Sequence, residues 1–386
     1  MNRKKYIKKS DLAMFTYMFF LLAFLIQISC LITQYYFFND VIKIFYMLGY
    51  FIGIYKLLNQ KWTKKSLLFS LSLIIIGLLL WYTNKDLNIL ISMTPINVFF
   101  LIICSKDVDF EKYIKVDIIC RILFSVLLLV LLFLRYLTDV TTVRSNGLLR
   151  YSLGYTHPNR FGSSMFLIVL YLAYLRRDEL GWKDVFFQIA MLIFIEVVAN
   201  SRSSEIGVIL VMLYTLYKVI NFKIKQEVNI KLAIKSLAIP FVVVLVFLTF
   251  YIAWIFNPNN IIIAFFNKLF NYRLDLANQA LNYYKITLFG NGIAPISWDY
   301  VLANNLPKAL TATDIMYIYI YVIYGVVGLA VFLYVFIRNI NYARKKDIFL
   351  CFAMLIIALV SCIENQYCSY GTNIFLLLFS KCIFKD

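Results

Sequence analysis

The residues of this chain that could do chemistry are arginines, one histidine and a few carboxylates, each set beside turn formers. The stretch RSNGLLRYSLGYTHPNRFG, from Arg144 to Gly162, holds Arg144, Arg150, His157, Asn159 and Arg160. His157 is the only histidine in the chain. Pro158 restricts His157 to extended geometry, and Asn159 then reads as the cap of a helix starting near Arg160. A helix N-terminus beside arginines suits an anion, although a plain capped loop with histidine at headgroup level accounts for the same residues. A second element, NSRSSE (200–205), puts Arg202 in a tight turn, with Ser203 and Ser204 as caps and Glu205 in the first helical turn. Glu196, about one turn earlier in an apolar run, pairs with Arg202 or faces water.

Two carboxylates complete the set. Asp314 lies in TATDIMYIYIYVIYGVVG and Glu364 in SCIENQYCSYG. Either carboxylate, near guanidinium groups, can serve as general base on a hydroxyl. Asp314 can equally be a helix cap, with Thr311 and Thr313 beside it. Together with Arg273, these loops assemble five arginines, one histidine and two carboxylates. That inventory fits a phosphate-linked substrate, because arginines neutralise the charge of a departing diphosphate. A metal centre is not expected: there is one histidine and no cysteine cluster. Walker, G-x-S-x-G and dinucleotide-fold motifs do not occur.

The elements that must position these residues are membrane helices. The chain has 386 residues, is 62% hydrophobic, has a mean hydropathy of +0.80 and carries a net charge of +18. Such a composition excludes disorder, a disulfide scaffold and a soluble nucleic-acid binder. The seven cysteines form no C-x-x-C pair; Cys362 and Cys368 flank a short loop and read as free thiols. Twelve apolar runs are long enough to cross or nearly cross a bilayer: 12–32, 41–58, 67–83, 87–104, 116–137, 159–175, 185–199, 206–221, 236–255, 313–337, 348–362 and 369–384. The basic start, MNRKKYIKKSD, precedes an apolar run without a cleavage site and reads as an uncleaved anchor held inside.

Alternating the spans from there places 24 Lys and Arg inside and 8 outside, and leaves a net +14 inside against zero outside. Most of the +18 is therefore a topology signal. Arginine supplies 5 of the 24 inner cations and 4 of the 8 outer ones, so the outer face is richer in the side chain that grips phosphate in two-point fashion. The expected protein is a single integral membrane domain, 1–386. Its exceptional outer loops are 138–158 and 256–312, and long loops in compact proteins tend to be functional. Within the second, Leu274, Ala277, Leu281 and Tyr284 share one face of a short amphipathic helix, which rests on the membrane interface or caps the bundle. That helix ends at the turn marked by Gly290 and Gly292.

Taken in order, GYTHPNRFG (154–162), NSRSSEIG (200–207), NYRLDLANQAL…LFGNGI (271–293), TATDIMYIY…YGVVG (311–328) and the Glu364 region resemble the motifs of Wzy-type polysaccharide polymerases in the O-antigen ligase superfamily. The resemblance implies an all-α polytopic membrane protein of about 12 helices (10–14), similar to the GT-C glycosyltransferases. It implies a substrate, an undecaprenyl-diphosphate-linked oligosaccharide, used at the outer leaflet without nucleotide sugar, metal or other cofactor. The glycan would be transferred to the non-reducing end of another repeat unit, releasing the lipid diphosphate. Arg202 and Arg273 would clamp the diphosphate. His157 and Asn159 would line the cleft, and Arg144, Arg150 and Arg160 would add to the anion site. Asp314, where many relatives carry histidine, would be the base, with Glu364 second. The implied setting is a bacterial cytoplasmic membrane with both termini cytoplasmic and the active face outward. The implied partners are membrane lipid, a flippase and a chain-length regulator, with no nucleic acid. Two rival readings are a ligase that moves a finished glycan and a transporter of lipid-linked sugar. A transporter would show matching inverted halves and broken helices near the midplane.

Overall fold

The computed structural model describes residues 9–87, 89–106, 108–144, 147–224, 230–269, 272–292, 301, 304, 306, 307, 310 and 313–384. Among these residues the protein is almost entirely helical. Seven helices are long and apolar enough to cross a membrane: Lys9–Gln27, Phe38–Leu58, Lys64–Thr83, Phe110–Phe133, Arg202–Ile220, Leu232–Trp254 and Met316–Lys346. Shorter apolar helices cover Ile91–Cys104, Ile348–Val360 and Ile374–Ile383. Large apolar side chains point outward along them, with Phe51 at 73%, Phe133 at 87% and Trp254 at 71% exposure. Water would not tolerate so much contiguous apolar surface, whereas acyl chains would cover it.

The chain divides into two compact units. The first comprises residues 1–68, 100–228 and 380–386. In it α1 (Lys9–Gln27) packs along α3 (Phe38–Leu58) and α6 (Phe110–Phe133), while α7 (Pro158–Leu175) packs on α6, α8 (Trp182–Val198) and α9 (Arg202–Ile224). A one-turn helix, α2 (Leu31–Gln34), joins α1 to α3. Small residues admit large neighbours at these contacts: the Phe20 ring lies over Gly49 and the Phe100 ring over Gly53.

Buried charged side chains inside its spans have partners. Arg121 binds Asp117 one turn below it on α6, and Tyr17 of α1 donates to the same carboxylate. Lys56, fully buried, donates to the Cys104 carbonyl (2.6 Å), the Lys106 carbonyl (3.2 Å) and Gln60 (3.0 Å). It thereby satisfies carbonyls at the end of α5 (Ile89–Cys104) that have no partner within the helix.

The second unit comprises residues 69–99 and 229–379. It holds most of α4 (Lys64–Thr83) and α5, together with α10 (Ile230–Trp254), α11 (Ile261–Leu269) and α12 (Arg273–Tyr283). The 31-residue α13 (Met316–Lys346) and α14 (Ile348–Val360) complete it. Helix α10 packs on α12, α13 and α14.

The apolar run 369–384 departs from the expected span. Its first part, with the residues just before it, forms two 3-10 turns, Asn365–Cys368 and Ile374–Phe379; α15 (Ser380–Ile383), assigned to the first unit, ends the run. Gly371, Thr372 and Asn373 interrupt the helix, and irregular backbone survives at depth only where protein satisfies it. Asn339 of α13 donates to the Phe375 carbonyl (3.0 Å) and Asn373 to the Tyr367 carbonyl (3.0 Å). All seven cysteines are free thiols.

Candidate functional site

The sequence-derived site residues fall into two groups, one within each unit. In the first unit the stretch 138–158 is not an open loop. Strands β1 (Thr141–Val143) and β2 (Leu149–Tyr151) form an antiparallel hairpin, with Thr142 opposite Arg150. Asp139 closes it from below by accepting from Ser152 Oγ (2.7 Å) and the Gly154 amide (2.9 Å). Tyr155, which follows, is buried with its hydroxyl between Ser125 (2.9 Å) and Ser164 (3.2 Å).

Arginines fasten this hairpin to its neighbours. Arg150, the inward residue of β2, donates from Nε to the Ala199 carbonyl (2.7 Å) and from its terminal nitrogen to Asn159 Oδ1. Arg144 donates to the Asn200 carbonyl. Both carbonyls belong to the turn between α8 and α9, where Asn200 is left-handed (φ 45°), a conformation asparagine tolerates better than most residues. Thus Arg144 and Arg150 hold the α8–α9 turn in place. The better exposed groups are His157 and Arg202, with Asn159 and Arg160 half-buried.

The helix cap differs from the expectation. His157, extended at φ −158° and ψ 144°, is the N-cap of α7, and its Nδ1 accepts from the Asn159 amide (3.1 Å). Pro158 takes the first helical position, where its missing N–H costs nothing. Because histidine caps the helix, the Asn159 side chain is left to receive Arg150. Gly162 lies against Ser201 and Ser204, so α7 and the start of α9 approach closely. At that start, Ser203, Ser204 and Glu205 lie in the first turn of α9, and Ser201 just ahead of it bonds Ser204 (3.0 Å). Glu196 accepts from Asn200 (2.9 Å) and sits beside Glu205, with Arg144 and Arg202 nearby.

In the second unit Arg273, Asp314 and Glu364 meet. Arg273 opens α12 after Tyr272, which is left-handed (φ 62°). Its Nε lies 3.0 Å from Asp314 Oδ2, one terminal nitrogen lies 2.9 Å from Glu364 Oε1, and the other donates to the Ile363 carbonyl. Burial works against the guanidinium charge; Glu364 and Asp314 outweigh it, so Arg273 holds its proton more tightly than a free arginine.

The partners differ in access: the Glu364 side chain is 7% exposed and the Asp314 side chain 39%. Asp314 does not cap the following helix, whose N-cap is Ile315. Instead the Ile315 amide meets Thr313 Oγ1 at 3.4 Å, and Thr311 lies outside the described residues. The Met316 amide bonds the Ser361 carbonyl (2.9 Å) and Asn365 bonds the Thr313 carbonyl (3.1 Å), so the Asp314 turn and the Glu364 turn are tied by backbone as well as by charge.

Helix α12 packs against α10 and α13 of its own unit. Leu274, Ala277, Ala280 and Tyr284 are buried, with Leu281 half-buried, and Asn278 donates to the Ala253 carbonyl at the end of α10 (2.8 Å). Asn271, at the head of this motif, lies outside the described residues. Two features escape sequence reasoning: the hairpin, and the interlock of the FGNGI and YGVVG glycines taken up below. The glycine spacing was the available signal for the second. Comparison with protein-family models, curated proteins and solved structures gives no match.

Proposed function

We propose that the chain is a membrane-embedded polysaccharide polymerase of about 12 spans with a GT-C-like arrangement. It would use an undecaprenyl-diphosphate-linked oligosaccharide at the outer leaflet of a bacterial cytoplasmic membrane. The observation that carries this reading is the triad of Arg273, Asp314 and Glu364. One arginine holds two carboxylates, and one of the two stays accessible.

In the reaction, the hydroxyl of the acceptor sugar attacks the anomeric carbon of the donor. The new C–O bond forms as the bond from that carbon to the phosphate oxygen breaks. Asp314 accepts the hydroxyl proton, and the polyprenyl diphosphate leaves with the bonding electron pair. In the first unit, Arg202 and Arg160 suit the charge of a leaving diphosphate. His157 and Asn159 contribute to the sugar cleft. Arg273 is the positioning residue for Asp314: its guanidinium is occupied by two carboxylates and a carbonyl, and a third anion would have to displace one of them. Arg144 and Arg150 act through the α8–α9 turn that carries Arg202.

The test is reconstitution with the lipid-linked repeat unit. Arg202→Ala is expected to abolish polymer, and Asp314→Asn to slow its formation, while single units still reach the outer leaflet. Units trapped on the inner leaflet would favour a transporter. Transfer onto a different acceptor without chain growth would favour a ligase.

A further inference from the structure

Helix α13 is two helices joined end to end. Gly325 stands between them at φ 70° and ψ −171°, well outside helical geometry. The break falls in an apolar run, VIYGVVG, where loose backbone donors and acceptors are costly. The segment Thr287–Asn291 takes them up. The Val326 amide donates to the Thr287 carbonyl (3.0 Å) and the Val327 amide to the Leu288 carbonyl (3.0 Å). On the other side of the break, Asn291 donates to the Val322 carbonyl from its amide (3.3 Å) and from Nδ2 (3.0 Å). The segment is therefore spliced into the helix.

Two glycines permit the splice. A Cβ on Gly325 would lie 2.5 Å from the Leu288 carbonyl oxygen, and a Cβ on Gly290 (φ 107°) would overlap the Ile323 carbonyl. The outer side of the segment is held by Thr83 and Asn84 at the end of α4, which donate to the Phe289 carbonyl at 2.8 and 3.3 Å. Discontinuous membrane helices often leave their free ends to an ion or substrate. Here the peptide itself fills those ends.

The spliced segment follows α12, and the half-helix ahead of the break follows Asp314. One stretch, 273–291, thus grips the short half-helix 316–324 at both ends: Arg273 on Asp314, and the glycine splice about 14 Å further along. We infer that Gly290, Asn291 and Gly325 are positioning residues for Asp314, because the splice sets where that half-helix, and the carboxylate at its head, stand relative to Arg273. The importance of Asp314 rests on the polymerase reading; the positioning itself does not.

The experiment therefore measures geometry and turnover separately, in the full chain in membranes with the seven native cysteines changed to serine. A short bis-thiosulfonate linker is applied to the pair Arg273→Cys with Asp314→Cys. Efficient crosslinking is expected without the ion pair, because the splice holds the two turns together. Adding Gly290→Ala, or the milder Asn291→Ala, is expected to lower the yield at least threefold. An unchanged yield overturns the inference whatever the enzyme does. In the native pair, Asn291→Ala is expected to cut kcat three- to tenfold with KM unchanged, and to add nothing to Asp314→Asn. An additive loss overturns positioning through Asp314. If the splice variants lose crosslinking while the wild-type protein forms no polymer, the positioning stands and the polymerase reading falls.

Discussion

Arg121 in the first unit and Arg273 in the second are both buried guanidinium groups held by carboxylates. Arg121 has one carboxylate, Asp117, four residues away on its own helix; the two side chains are 1% and 0% exposed. Tyr17 takes the same carboxylate from a neighbouring helix. That cluster is neutral and closed, and it stitches α1 to α6. Arg273 has two carboxylates drawn from turns 41 and 91 residues along the chain, so the cluster carries one excess negative charge and leaves Asp314 partly open. A carboxylate whose partners are all internal can only hold structure. One that shares its arginine with a second carboxylate and faces outward can take a proton from a substrate. Charge count and access separate the two sites.

The sharpest way to break this contrast is Arg121→Leu. It leaves Asp117 buried and unpaired, at a cost of about 3–5 kcal/mol. Loss of folded protein is expected, read as detergent-soluble monodisperse yield. Replacing the cluster together, with Asp117→Leu, Arg121→Met and Tyr17→Phe, is expected to restore that yield, since a closed neutral pair can be exchanged for apolar packing. Retained function in the triple variant would show that the cluster only holds helices.

Next in size, Asp314→Asn is expected to lower turnover by about 10²-fold or more with folded yield and lipid-substrate binding intact. Unchanged turnover would remove Asp314 as base. Glu364→Gln leaves Arg273 with one full ion pair; a loss of about tenfold in kcat, worth ~1.4 kcal/mol, is expected in a single-turnover assay. A loss as large as that of Asp314→Asn would make the two acids equivalent and erase the asymmetry. At the low end, Lys43→Ala removes an exposed ion pair with Asp40 three residues away. No measurable change in yield or melting is expected, as befits a solvated pair.

Much of the architecture was legible because apolar runs have little choice. A run such as 236–255 must satisfy its own backbone in lipid, and a helix does so with local hydrogen bonds. The His157 turn was legible for a similar reason: Pro158 dictates extended geometry before it and a helix after it. Its cap was misassigned to Asn159 because asparagine is the commoner cap, whereas Pro158 at the first helical position makes the preceding residue, His157, the cap. The 138–158 hairpin was hidden because its strands have three residues each, too short for an alternating pattern to register. The run 369–384 looked like a span by hydropathy, yet its polar interruption was answered by Asn339 on another helix, a partner no local window contains.

Local information was enough to determine that the described residues are mostly helical and apolar, and which few residues carry charge near the turns. Those properties follow from backbone satisfaction and hydrophobic periodicity, which act over a few residues. Tertiary structure decided what each charge is for. Arg150 and Arg144 became fasteners because the carbonyls of residues 199 and 200 reached them. Arg273 was joined to both candidate acids, and two glycine motifs some 35 residues apart closed into one splice. Charge pairing and close backbone approach depend on distances between segments remote in sequence, and only the folded chain sets those distances.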